Sequence, residues 1–286
     1  MTAIQVKDNK KICSQTSTTF QLNDENYYSD QANWHFQSKS LFWNFMQCEA
    51  ATLAQLKHEY QPFSNPTPLL FGNYLHSYFE SKKAHERFIE ANETSLYKYG
   101  KKEKGLKSDF KQAQKCIQTL EDEKRFRLLY QGQKEVIVKG NLFGVDWMGK
   151  IDCLDLKNKW FFDLKTVDDI HKKHWSKEEN GYTNFAVSRG YDMQMAIYKE
   201  LIKQTFGVEC TPFIIAVSKQ KVPDKAILSI PEWRMENRLD QIEELQPHIQ
   251  RVKNGEEEPS YCGHCDYCRS HKIMNEITSI DDIELY

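Results

Sequence analysis

The chain has 286 residues, with 39 Lys plus Arg against 41 Asp plus Glu. That length holds one large domain or two small ones around a substantial core, and a net charge of −2 excludes a general polyanion binder, so any nucleic-acid contact must rest on local basic patches. The N-terminus is polar and no apolar run reaches membrane-spanning length, which excludes a membrane span and a visible signal peptide and points to the cytoplasm.

Residues 1–25 read as a flexible N-terminus, 26–270 as a single domain, and 271–286 as an acidic tail. A helix is expected over 40–58, where Ser38 or Ser40 can serve as N-cap and Phe45, Cys48, Glu49 and Ala50 follow. A second helix is expected over 68–92; it carries Gly72, His76 and, one turn further on the same face, Glu80. A third is expected over 108–129, after the basic run Lys101–Lys107. Strands follow near 134–139, 143–154 and 159–165, then a helix over 184–206, strands near 212–218 and 225–230, and a helix over 233–252. This order predicts an α/β fold: a mixed central sheet with flanking helices and a helical N-terminal part.

The chemistry concentrates between Gly149 and Thr166. Asp152 lies in one apolar run and Asp163 in the next, Trp160-Phe161-Phe162-Asp163-Leu164-Lys165. Side chains alternate along a strand, so Asp163 and Lys165 share a face while Leu164 points to the opposite layer. The turn at 155–159 lets the two strands pair as a hairpin and brings Asp152 near Asp163. Gly149 permits close approach of another backbone beside Asp152. An Asp-x-Lys tripeptide alone is most often a solvated face. In a run this apolar, two carboxylates and an ammonium call for a hard cation such as Mg²⁺ or Mn²⁺, with Lys165 orienting or deprotonating a water. Downstream, Gln194 and Tyr198 sit four residues apart in a helical run and so share a helix face. The run His171–Lys177, just beyond the Asp-x-Lys strand, suits phosphate contacts, and Trp175 within it could stack on a base.

Of the eight cysteines, Cys262, Cys265 and Cys268 form a Cys-x-x-Cys-x-x-Cys knuckle within 261–269. Where thiols stay reduced, that spacing reads as a metal or cluster site rather than disulfides. Thiolates suit both zinc and iron–sulfur. Cys13, Cys116, Cys153 and Cys210 read as ordinary thiols.

Together these motifs resemble the PD-(D/E)xK nuclease superfamily in its RecB-like branch, and within it the RecE-like exonucleases of phages and prophages of Gram-positive bacteria. The similarity runs over about residues 27–270. Ile151 stands where the first motif is usually written with proline. The resemblance implies a restriction-endonuclease-like core in which His76, Asp152, Asp163 and the carbonyl of Leu164 hold Mg²⁺ or Mn²⁺. Asp152, Asp163 and Lys165 would act in catalysis, with Gln194 and Tyr198 buttressing the site. In cluster-bearing relatives (AddB-type and CRISPR-associated nucleases) one upstream cysteine joins three C-terminal ones around a [4Fe–4S] cluster. That places Cys48 with Cys262, Cys265 and Cys268; zinc held by the three knuckle cysteines with Cys48, or with His264 replacing one of these thiolates, is the alternative. The activity implied is resection of double-stranded DNA ends, 5′ to 3′, beside a single-strand annealing protein. It would act in a bacterial or phage-infected cell, in some relatives as a homo-oligomeric ring. The competing readings are a single-strand nuclease with an Fe–S cluster and an inactive DNA-end-binding regulator.

Overall fold

The computed structural model describes residues 20–63, 65–176, 178–274, 277 and 279–283. Most of the expected flexible N-terminus, Cys13, Lys177 and parts of the acidic tail lie outside them.

The N-terminal part is helical: α1 (Asp30–His35), α2 (Lys39–Gln47), α3 (Glu49–Leu56), α4 (Thr67–Glu80), α5 (Lys82–Ala91), α6 (Glu93–Leu96), α7 (Ser108–Glu121) and α8 (Lys124–Leu129). Strands β1 (Gln133–Leu142), β2 (Val145–Asp155) and β3 (Trp160–Val167) follow. Next come a small hairpin of β4 (His174–Ser176) and β5 (Gly181–Thr183), a helical turn α9 (Phe185–Ser188) and the helix α10 (Tyr191–Phe206). Strands β6 (Thr211–Ser218) and β7 (Lys225–Ser229), helix α11 (Glu232–Asn254) and the short α12 (Asp266–Ser270) follow.

The main sheet has the order β1-β2-β3-β6-β7, antiparallel except for the parallel pair β3–β6. Two apolar layers cover it. Phe42, Trp147, Ile151, Phe161, Ile197 and Ile214 pack on the side of α2, α10 and α11. Phe71, Leu75, Phe110, Phe162, Leu164 and Val217 pack on the side of α4 and α7. Phe161 and Phe162 thus enter opposite layers, the two-residue period of a strand buried on both faces.

Four of the expected helices are broken once each, for local reasons. Cys48 turns into extended backbone (φ −166°, ψ 108°) between α2 and α3, which takes its thiol out of the helix register. Ser81 does the same between α4 and α5, and its hydroxyl accepts the Ala84 N–H at 3.1 Å as an N-cap. Asp122 and Glu123 separate α7 from α8. Gly190 separates α9 from α10 at φ +62°, and a Cβ there would lie 2.4 Å from the Trp43 ring, so glycine is required on both counts. Strand β4 carries Trp175 of the basic run that begins at His171.

Candidate active site

The sheet is irregular at one level across three strands. Between β1 and β2 the register pairs Lys134 with Cys153 and Val136 with Ile151, and passes over Glu135 and Asp152. Glu135 has φ +53°, a left-handed conformation uncommon outside glycine, asparagine and aspartate. Between β2 and β3 the ladder runs from Asp155–Trp160 to Cys153–Phe162 and stops where Asp152 and Asp163 would pair. In place of the next ladder bond, Asp152 Oδ2 accepts the Leu164 N–H at 2.7 Å. Ile151 and Cys153 would share a face in a regular strand, yet they pack in opposite layers. The distortion therefore sits at Asp152, and β2 and β3 diverge beyond it to open a cleft of about 650 Å³. Its walls include Tyr28, Lys39, His76, Glu135, Asp163 and Lys165.

On the floor, His76 of α4 places Nδ1 3.4 Å from Asp152 Oδ2. Burial opposes charge on His76, but the Asp152 carboxylate outweighs it and raises the imidazole to about 9. Burial likewise opposes charge on Asp152, and His76 more than compensates, holding the carboxyl below its usual range. Glu135 is raised to about 7, by burial first and then by the Asp152 charge. Donor atoms of His76, Glu135 and Asp152 all lie within 4.8 Å of one another.

Asp163 stands beside this group, 2% exposed and held from two sides. Gln194 of α10 donates to its Oδ1 at 2.8 Å, and Lys165 Nζ lies 2.6 Å from Oδ2. Burial and then the neighbouring Asp152 raise the Asp163 carboxyl despite Lys165, whereas Lys165 itself is raised because Asp163 outweighs its burial. Lys165 is therefore an ammonium, 4.5 Å over the Tyr191 ring. Asp192 accepts from Arg238 of α11 at 3.0 Å, a buried pair that fixes the start of α10 and with it Tyr191 and Gln194.

The structure thus brings His76, Asp152, Asp163, Lys165 and Gln194 together. Tyr198 lines the same cleft one turn beyond Gln194. It also corrects the reading of Gly149: the close neighbour there is the Tyr198 ring rather than a backbone, since a Cβ would lie 2.6 Å from its Cε1. Leu164 is tied to the site by its N–H, which donates to Asp152 Oδ2 at 2.7 Å. Glu80 lines the cleft without joining the His76 donor group.

Two residues went unread in the sequence. Glu135 looked like an ordinary strand residue, because its left-handed backbone leaves no pattern. Lys39 sits inside the Ser38-Lys39-Ser40 run that signalled only a helix cap. It is buried, donates to the Arg189 carbonyl at 2.6 Å and lines the cleft. Burial, then Lys165, depresses its pKa to about 7.

The donor set suits a hard divalent cation: one imidazole and several carboxylate oxygens. Asp163 Oδ2 adds a buried acceptor with no well-aligned hydrogen-bond donor. A second donor set lies elsewhere. Cys48, between α2 and α3, meets Cys262, Cys265 and Cys268, with all four sulfurs within 4.8 Å of one another. His264 is exposed, its Nδ1 2.8 Å from the Cys262 carbonyl, and it is not one of this group. Among the described residues, no helix is long and apolar enough to cross a membrane.

A mixed sheet that splays at paired acids, with Asp-x-Lys on the central strand and a Gln-bearing helix against it, defines a PD-(D/E)xK nuclease fold. The chain belongs to the family described as "PDDEXK-like domain of unknown function (DUF3799)", whose model matches residues 38–271. The crystal structure of a Eubacterium rectale protein described as "Putative exonuclease" superposes with a TM-score of 0.83 at 34% identity, covering 92% of this chain and 98% of that one. The crystal structure of SSO0001 covers 84% of this chain and 97% of its own at 12% identity, but its TM-score of 0.32 is too low to carry an argument. No curated protein matches the chain.

Proposed function

We propose that this protein is a divalent-metal-dependent deoxyribonuclease that degrades double-stranded DNA from its ends, 5′ to 3′. The observation that carries the reading is the Asp163–Lys165–Gln194 cluster set directly beside His76, Glu135 and Asp152 in one cleft. End-directed action is supported by the relative from Eubacterium rectale described as "Putative exonuclease" and by a cleft the size of a small-ligand pocket, which suits a strand terminus better than a whole duplex.

His76, Glu135 and Asp152, with Asp163 Oδ2 as a further donor, would hold Mg²⁺ or Mn²⁺. Such an ion supplies charge neutralisation at the phosphate and makes a water more acidic. Lys165, kept protonated by Asp163, orients the attacking water and balances charge on the phosphate as it develops. Gln194 fixes the Asp163 carboxylate so that Lys165 is aimed into the cleft. Lys39, its pKa depressed to about 7, adds an amine on the same wall that is only partly charged at neutral pH. Tyr198 shapes the floor over Gly149; burial raises its phenol well above its ordinary value, so it does not exchange protons. Trp175 and Tyr182, 57% and 71% exposed on the β4–β5 hairpin, offer faces for unpaired bases. By the RecE-like resemblance, the partner is a single-strand annealing protein and a ring of copies encircles the duplex.

The test is degradation of linear against covalently closed circular duplex with Mg²⁺, and again with EDTA. Mg²⁺-dependent loss of the linear form alone is expected. Cutting of closed circles would show an endonuclease, preference for free single strands would show a trimming enzyme, and end binding without cleavage would show a regulator.

A further inference from the structure

We propose that Cys48, Cys262, Cys265 and Cys268 bind a single tetrahedral zinc ion, and that this ion, rather than an iron–sulfur cluster, pins the C-terminal knuckle to the helices that form one wall of the cleft. The inference stands apart from the nuclease reading.

The four thiols are free. Cys48 and Cys268 sulfurs are 3.5 Å apart, Cys262 and Cys268 3.7 Å, and Cys265 and Cys48 3.7 Å. Four thiolates on one zinc, with bonds of about 2.3 Å, form a tetrahedron with edges of roughly 3.8 Å. In a four-iron cluster each thiolate takes a different iron, so the sulfurs are held apart by the width of the cluster itself. Sulfurs in van der Waals contact leave no room for that cluster.

The backbone is arranged for thiolates. The Cys265 N–H donates to Cys262 Sγ and the Cys268 N–H to Cys265 Sγ, each at 3.4 Å. Gly263, at φ +81°, permits the turn that makes this possible. Four sulfurs fill a tetrahedral shell, so the site is closed and structural rather than catalytic.

Its place in the fold gives it a consequence. Helix α2 begins at Lys39, in the cleft wall, and ends beside Cys48, about 14 Å away along the axis. The Ala50 N–H donates to the Ser260 carbonyl at 3.0 Å and Glu49 accepts the Ser260 N–H at 2.8 Å, so the knuckle and α3 are joined beside the ion as well. Zinc therefore holds the far end of the helix that carries Lys39.

The full chain, purified anaerobically from cells supplied with both iron and zinc, is analysed for metal and acid-labile sulfide. Apoprotein is then offered Zn²⁺ in competition with Fe²⁺ plus sulfide. One zinc per chain, no labile sulfide and preference for zinc are expected. Iron with stoichiometric sulfide, or a chain carrying neither metal, overturns the proposal. Cys265→Ser should lose the zinc while Cys116→Ser, buried outside the cluster, retains it; equal zinc in both also overturns it. Should Cys265→Ser fail to fold, the wild-type protein loaded with Co²⁺ must show the absorption of tetrahedral thiolate cobalt. Stripping zinc from the wild type should lower Tm by about 10 °C, and an unchanged Tm removes the structural role.

Discussion

Glu135 stands directly opposite Asp152, at a step that the β1–β2 ladder passes over, and its carboxylate lies within 4.8 Å of donor atoms of both His76 and Asp152. The distortion of β1 and the acid on β2 thus bring together donor atoms that could hold one cation. Glu135→Gln keeps the shape and removes the charge. Mn²⁺ affinity, measured by calorimetry without DNA, is expected to fall about 10-fold or more. Unchanged affinity would remove Glu135 from the ligand set.

Asp163 raises the Lys165 ammonium against its burial, and Gln194 donates to Asp163 Oδ1 at 2.8 Å. Lys165→Ala should lower the cleavage rate by about 10²–10³ while DNA binding persists. Gln194→Ala should lower it less, by roughly 10-fold, because it only releases the carboxylate. Single-turnover rates at saturating enzyme separate these effects from binding. Equal losses in the two variants would contradict the order of dependence.

The Tyr198 ring occupies the space beside Gly149, and an added Cβ would meet Cε1 at 2.6 Å and Cδ1 at 2.9 Å. Gly149→Ala should cost about 1–3 kcal/mol by overpacking. In Gly149→Ala/Tyr198→Leu much of that cost should return, so denaturation of the four proteins of the cycle should show coupling. Strict additivity would mean that the ring is free to move aside.

These contacts show where the sequence was legible and where it was not. Asp163, Lys165 and Leu164 were readable because a strand alternates faces whatever surrounds it, and the structure places Leu164 in the layer opposite the site. Asp152 was readable through the short turn at 155–159. Glu135 was not, because its role depends on a backbone irregularity that no residue in the run announces. Breaks at Cys48 and Ser81 were hidden for a related reason: each replaces a helical step with a local cap or a long-range sulfur contact. Cys48 was found only through resemblance, since 214 residues separate it from Cys262. Lys39 was hidden because lysine at a helix start ordinarily faces solvent.

Lys253 is 4% exposed and donates to the Phe36 carbonyl at 3.3 Å, and burial lowers its pKa from 10.5 to about 8. Between those values the unfolded chain holds more protons than the folded one, so stability rises with pH across that window. Below it the buried charge costs about 3 kcal/mol. Lys253→Met should stabilise the protein by about 1–2 kcal/mol at pH 7, after loss of the Phe36 hydrogen bond. Urea denaturation at intervals of pH should show that gain shrinking as pH rises from 8 toward 10.5. A gain that grows with pH would reverse the argument.

The proposed hydrolysis depends on a divalent metal held at Asp152. The most direct measurement is release of nucleotides from linear duplex DNA by the wild-type protein and by Asp152→Asn, each titrated with Mg²⁺ and checked for folding by circular dichroism. Release should rise with Mg²⁺ in the wild type and fall by about 10³ or more in a folded Asp152→Asn at every concentration. Comparable release by the two proteins, or release by the wild type that is indifferent to Mg²⁺ and to EDTA, would contradict it.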